Sequence, residues 1–455
     1  MYNWLRVDIL HETQFDPVFA SAVALRGGSL SPDIYTDLDE IGGQLPEFKR
    51  DESRRLFVEP LTNIAAFLEW LGREAPAASP LLSSIKAGYV CNPDHHAYVE
   101  RAGEHYIIGV YTGLVDMLTQ AAFALFASSD AFPGIGHPSQ EVRHHFIKSL
   151  DPEDAVDVRE FVSRGFSKDA ALVFGADWRS LYEGHILADW PRPFDFKRLE
   201  AAHLAVSCAV EFAFLHELGH LLCGHFSLGV AGSALVDGAP VASDSALTRD
   251  TLHFMEVDAD SMAVQLAAGG GLIAPLAWKR TAYDNGFRDS AHIPAERRDS
   301  GLAQPDAGYF DRNTLSYLWA VGINLLLCIF SQGDVRLGDW KSPDHPHPLF
   351  RALNIIPTVS SCRVEGDTLS EILPGQSASA FWDVIHAWNS HHIPGGRMLA
   401  FETEDIEALT DSMNAFYGRI GGIYGEMEKG NVRIIGNHVC RRLLKRASGR
   451  SQGAS

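Results

Sequence analysis

Apolar residues recur at helical spacing in several stretches of this chain, and each predicts a helix with one face on a core. They are Leu56 to Leu71 (LFVEPLTNIAAFLEWL), Leu114 to about Ser128, His203 to Phe226, and Leu252 to Ala268. A continuous apolar run, Tyr317 to Phe330 (YLWAVGINLLLCIF), stops short of the ~20 residues a membrane span needs, and it contains Gly322 and Asn324. It predicts a buried core helix. The β-branched and aromatic run His105 to Tyr111 (HYIIGVY), set between Gly103 and Gly113, predicts a strand. Between these elements the pattern breaks down. Ala75 to Ser83 is rich in Pro, Ala and Ser and predicts a linker or exposed loop. Residues 130–200, rich in Pro, Asp and aromatics, predict an insertion with short helices, and Ser227 to Ser245 a flexible crossing. A helix is expected over Asn431 to Arg446, ahead of a disordered Ser/Gly/Arg tail. No repeat is visible at a period of about 20–50 residues. The fold class expected is α+β, predominantly helical, with an N-terminal helical region at 1–90, a central domain at 91–360 and a C-terminal helical region at 361–455.

Composition narrows the partners. Hydrophobic residues make up 46% of 455, enough for a large core. The net charge of -20 and pI near 5.4 repel phosphate backbones and anionic headgroups, so neither nucleic acid nor a membrane is expected as a partner. The basic end Arg441-Arg442-Leu443-Leu444-Lys445-Arg446 is read as complementing its own helix dipole. Six cysteines are scattered without CxxC spacing, the usage of a reducing compartment. The segment MYNWLRVDILHETQFD lacks an apolar h-region behind a basic n-region, so no secretory leader is expected and a cytoplasmic location is.

The chemistry concentrates at Phe214 to His225, FLHELGHLLCGH. His216 and His220 stand four apart, so on a helix they share a face, and both imidazoles can reach one zinc ion at about 2.0–2.1 Å. Glu217, between them, is placed to take a proton from an attacking water. A catalytic zinc needs a third protein ligand and an open position. A histidine six residues after the second would fall at Phe226; His225 is one residue out of register and reads as a helix-end or supporting residue. The remaining candidate is the run Glu-Val-Asp-Ala-Asp at 256–260. Glu256 and Asp260 share a helix face, Glu256 to ligate the metal and Asp260 to accept the N–H of a ligating histidine. Asp258 points elsewhere and reads as solvated or structural. The pairs His95-His96, His144-His145 and His391-His392 have no partner at ligand spacing, and Gly269 to Gly271 read as a helix cap.

These motifs, HELGH followed by EVDAD, resemble the gluzincin peptidases of the prenyl-protein (CAAX) endopeptidase and heat-shock membrane protease type. Two more pieces agree in order: His96-Ala97-Tyr98-Val99 leading through the strand to Gly113-Leu114, and His345-Pro346 with Arg351 at the family's spacing. The family's transmembrane helices have no counterpart, its Asn is His96 here, and residues 130–200 are extra. The chain is thus more similar to a soluble offshoot such as the bacterial phage-exclusion peptidases. The resemblance implies a zincin-like core with an edge strand above the active-site helix. That strand, Tyr106, Ile107, Ile108, Gly109, Val110 and Tyr111, would bind a polypeptide substrate as an added strand. It also implies that His345 donates to the developing oxyanion, with Arg351 anchoring its loop. His345 reads equally as a surface histidine in a Pro-rich turn, and His347 is the alternative donor.

The function expected is a metalloendopeptidase with one Zn2+ per chain. Two rivals stand beside it: a zinc-binding module without activity, against which an intact Glu217 argues, and a peptidase-like regulator plugged by the insertion at 130–200. Substrate and oligomeric state are not legible.

Overall fold

The computed structural model describes residues 56–57, 59–90, 95–141, 193, 195–227, 249–267, 310–330, 348–361, 368–390 and 411. These are mostly helical, with one three-stranded sheet. The expected helix over Asn431 to Arg446 and most of the 130–200 insertion lie outside them.

The first helix, α1 (Glu59–Glu74), leads into the stretch expected to be a linker. That stretch is folded: a 3-10 turn at Pro76–Ala78 and a short helix α2 (Ser79–Ser83). The prolines that read as breakers sit in the first turn of each, where a missing N–H costs nothing and a fixed φ helps. Three strands follow, β1 (Ile85–Val90), β2 (Ala97–Ala102) and β3 (His105–Tyr111). Gly103, at φ +64 in the first central position of the β2–β3 turn, supplies the conformation a two-residue hairpin loop requires.

The order is β1-β3-β2, which corrects the expectation of an edge strand. β3 is central, paired parallel to β1 from Ile85↔Tyr106 to Val90↔Tyr111 and antiparallel to β2 from Ala97↔Val110 to Ala102↔His105. Its backbone groups are already committed on both sides, so Tyr106 to Tyr111 have no free ladder to offer a peptide. β1 hid from the pattern because IKAGYV carries a Lys, an Ala and a Gly and does not alternate. Alternation is clear on β3. Ile108 and Val110 face the main core with Tyr89 and Val99, while Ile107 and Tyr111 join Val90 and Tyr98 on the other face. Gly109 is required there, since a Cβ would lie 2.5 Å from the ring of Tyr98 on the neighbouring strand.

Beyond the sheet come α3 (Thr112–Phe126), α4 (Phe196–Leu222), α5 (Arg249–Leu266), α6 (Arg312–Phe330), α7 (Pro348–Ser361) and α8 (Thr368–Ser390). α4 runs through the middle, with α1, α3, α5, α6, β2 and β3 all packed on it. Its 27 residues begin before the expected His203 because Asp195 caps the start, accepting the Arg198 N–H at 3.0 Å. α6 is the expected core helix, with Trp319 fully buried. It approaches α4 at Gly322, where a Cβ would sit 2.2 Å from the Ala205 carbonyl oxygen.

α4 and α6 are long and apolar enough to cross a membrane by length and composition, but 89% and 72% of their apolar windows are buried inside the protein. They read as core helices. Apart from the small cluster of Val90, Tyr98, Ile107 and Tyr111 on the other face of the sheet, the buried apolar side chains of these elements, from Leu56 to Trp388, form one continuous core. The sheet reaches the far part of α4 through Tyr89, edge-on to Phe214 at 5.7 Å between ring centroids.

Candidate metal centre

The last two turns of α4 hold the HELGH segment, and α5 crosses it at closest range there. The reason is Gly219: a Cβ at that position would lie 2.7 Å from the Ala259 carbonyl oxygen and 3.1 Å from the Ala259 Cα. Two small residues meeting backbone to backbone let the helices approach. The carboxylates on either side of Ala259 then reach the histidines on either side of Gly219.

The result is a tight triad of residues whose potential ligand atoms lie within 4.8 Å of one another. His216 Nε2 and His220 Nε2 are 3.2 Å apart. Glu256 places one oxygen 3.4 Å from His216 Nε2 and the other 3.4 Å from His220 Nε2. Ligands held at about 2.0–2.1 Å on a tetrahedral ion lie about 3.3 Å from one another. All three separations match that edge, and all three residues are buried. His216, His220 and Glu256 can therefore hold a metal ion. Glu217, the next residue along the helix from His216, is buried beside them, 7% exposed.

The outer nitrogens of both histidines are also engaged. His216 Nδ1 donates to Asp260 Oδ1 at 2.9 Å. Asp260 is gripped in turn by Arg351, with Nε 2.7 Å from one oxygen and Nη2 2.8 Å from the other. Arg351 Nη1 also lies 3.4 Å from Glu256. A bidentate guanidinium fixes the plane of the carboxylate, the carboxylate fixes the imidazole, and the Nε2 lone pair is left to face the triangle. On the other side, His220 Nδ1 is 2.8 Å from His225 Nδ1, and His225 Nε2 is 3.2 Å from Asp258 Oδ2.

The same neighbours shift the protonation of these groups. Burial opposes charge on His216, but the Asp260 carboxylate, with Glu256, outweighs burial and the Arg351 charge and raises its pKa to about 9. Burial lowers His220 to about 4, with His216 and His225 adding to the effect and Glu256 opposing it. Burial alone would raise Asp260; Arg351 reverses this and holds it below the ordinary carboxylate range.

His216, Glu217, His220, Glu256, Asp260 and Arg351 come together from α4, α5 and α7. His345 and His347 lie outside the described residues. Arg351, expected to anchor the loop carrying His345, spends its guanidinium on Asp260 and Glu256. Asp258, expected to be solvated or structural, is buried and faces His225. The signal for that pairing was the Gly-His at 224–225. Gly224 adopts φ +75 just past the helix end and turns the chain back, so that His225 comes under His220. The strand residues Tyr106 to Tyr111 lie in the sheet that packs on α4, at its centre rather than its edge. Comparisons with protein-family models, curated proteins and solved structures found no match to this chain.

Proposed function

We propose that this protein is a zinc-dependent endopeptidase whose metal is held by His216, His220 and Glu256. The observation that carries the reading is the cluster of donor atoms: the two Nε2 atoms 3.2 Å apart, and each of them 3.4 Å from one of the two Glu256 oxygens, close to the spacing of protein ligands around one tetrahedral ion. Two imidazoles and one carboxylate suit zinc, and three protein ligands leave a coordination position open, as catalytic rather than structural sites do. A zinc ion bound there supplies Lewis acidity toward a water and a peptide carbonyl. The chain supplies the rest. Glu217 takes the proton of the attacking water and delivers it to the leaving amine. Asp260, held by Arg351, keeps His216 in the tautomer that presents Nε2.

The polypeptide substrate, a cytoplasmic setting and the zincin-like likeness of the core belong to the same proposal. They rest on HELGH and EVDAD together with this geometry. With β3 central, an extended substrate would have to add to another edge, β1 or β2.

The first test is metal content of the purified protein by plasma mass spectrometry, with Glu256→Ala alongside. About one zinc per chain in the wild type, lost in the variant, supports the centre; a wild type that takes up no zinc on reconstitution sinks it. A second reading, a peptidase-like protein whose site is covered until a signal arrives, is favoured by the burial of His216, Glu217, His220 and Glu256. Hydrolysis of unfolded casein that appears only after limited proteolysis would select it.

A further inference from the structure

Beside the first triangle lies a second group of potential donors, Cys223, His225 and Asp258, all buried and within 4.8 Å of one another. His225 is completely buried, and a ring nitrogen with no access to water must find a partner. Both of its nitrogens have close neighbours: Nδ1 lies 2.8 Å from His220 Nδ1, and Nε2 lies 3.2 Å from Asp258 Oδ2.

We propose that His225 and Asp258 are positioning residues for the second metal ligand: His220 Nδ1–H donates to His225 Nδ1, His225 Nε2–H donates to Asp258, and His220 Nε2 is thereby kept as the lone pair that faces the ion. The inference rests on the reading of His216, His220 and Glu256 as ligands, and it extends that reading to residues outside the triangle.

Counting protons decides between this relay and a second metal ion. The contact between the two Nδ1 atoms needs one proton. If His220 gives its Nε2 to an ion, its Nδ1 carries that proton and His225 Nδ1 accepts it. Neutral His225 then has its own proton on Nε2, where Asp258 receives it. An ion on His225 Nε2 would displace that last proton and leave the two rings sharing a single one, so that one ring becomes an imidazolate in a buried site that already holds Glu256, Asp258 and Asp260. The second cluster therefore completes the first centre and takes no ion of its own. The Cys223 thiol, 4.0 Å from the Asp258 backbone carbonyl, is placed as a donor to it rather than as a thiolate.

The two sides of the centre are thus supported differently. His216 is held by a carboxylate clamped between two helices. His220 is held by a second histidine delivered by the turn at Gly224. A supporting partner of this kind is worth about 10–100-fold in metal affinity.

The test measures the zinc dissociation constant of the full-length protein by competition with a chromophoric chelator, and the visible spectrum of the Co(II)-loaded form. His225→Leu keeps the bulk and removes both nitrogens. His225→Asn puts an amide oxygen near the place of Nδ1. The expected result is one zinc per chain in the wild type, affinity about 10–100-fold weaker with an altered Co(II) spectrum in His225→Leu, and recovery of most of both in His225→Asn. Unchanged affinity and spectrum in His225→Leu would overturn the proposal. So would two zinc ions per chain in the wild type with only the weaker one lost. A wild type that binds no zinc sinks the metal reading itself, which the wild-type measurement alone reveals. If His225→Leu does not fold, Asp258→Leu reads the relay one step out: weaker zinc supports it and unchanged zinc overturns it.

Discussion

The two ends of α4 bury charge in opposite ways. At its start, the Arg198 guanidinium is entirely buried and all five of its N–H groups are taken. Nε donates to the Phe126 carbonyl at 2.7 Å, Nη1 to Phe132 and Ile135, and Nη2 to Ser128 and Ala131. Glu141 lies 3.8 Å away as counter-charge. At its end, His216, His220 and Glu256 gather their Nε2 and carboxylate oxygen atoms at one place, with the outer nitrogens of both histidines already occupied. A buried charge with every bond spent is architecture; a buried cluster of two imidazoles and a carboxylate is a group that could hold a metal ion. Asp116 on α3 shows a third outcome. Gln120 donates to its Oδ2 at 2.5 Å, Oδ1 has no hydrogen-bond partner among the described residues, and burial raises its pKa to about 7. A lone buried acid gives up its charge.

The sharpest break in this comparison comes from Glu217→Gln. It should lower casein hydrolysis by about 10²–10⁴-fold while zinc content and Tm stay as in the wild type. Undiminished turnover would remove Glu217 from the mechanism. At the opposite end, Arg198→Met should leave zinc per folded chain unchanged and lower stability to denaturant by on the order of 3–5 kcal/mol, because it strands five carbonyls and Glu141. A smaller effect on stability than on zinc would reverse the roles assigned to the two ends. Arg351→Met should weaken zinc about 10–100-fold by freeing Asp260 to swing from His216, measurable by chelator competition. Full affinity in that variant would mean that Asp260 holds its orientation unaided.

The last effect is on pH dependence. A pKa raised in the folded state means that the contribution of Asp116 is fully present below its ordinary pKa of 3.8 and is lost as pH rises toward 7. Asp116→Asn should therefore match the wild type near pH 4 and exceed it at pH 7 and above, by on the order of 4 kcal/mol in denaturant melts, the linkage value of a shift from 3.8 to about 7. A constant difference across that range would show that Asp116 stays ionised.

The metal triangle was legible because its rule is local: i, i+4 spacing puts His216 with His220 and Glu256 with Asp260 on single helix faces, whatever else the chain does. Asp260 was legible as a support by the same rule, and His225 as a helix-end or supporting residue, but the contacts that His225, Asp258 and Arg351 make were not, because each is delivered by tertiary geometry. His225 arrives through a positive-φ turn at Gly224 rather than by helical spacing. Asp258 is two residues from Glu256, a spacing that points away from the shared face. Arg351 meets Asp260 only because α7 packs on α5. The sheet failed for another reason: β3 announced itself by composition, but strand order depends on partners, and β1 has little strand character. Arg198 fell within the stretch read as an insertion, ahead of the expected helix start at His203, with nothing local to mark the five carbonyls it binds.

The clamp at the start of α4 also bears on how such a chain can change in length. Glu141 Oε1 accepts the Asp195 N–H at 2.8 Å, and Asp195 pairs with His137 Nδ1 at 2.9 Å. Gly136, at φ +61, leaves room for this, since a Cβ would meet Asp195 Oδ1 at 2.2 Å. The chain thus departs after residue 141 and returns at residue 195 through a neck tied by hydrogen bonds. The two ends of the intervening segment therefore enter and leave at one place. Sequence can be gained, lost or exchanged there while the helix that carries the histidines keeps its footing.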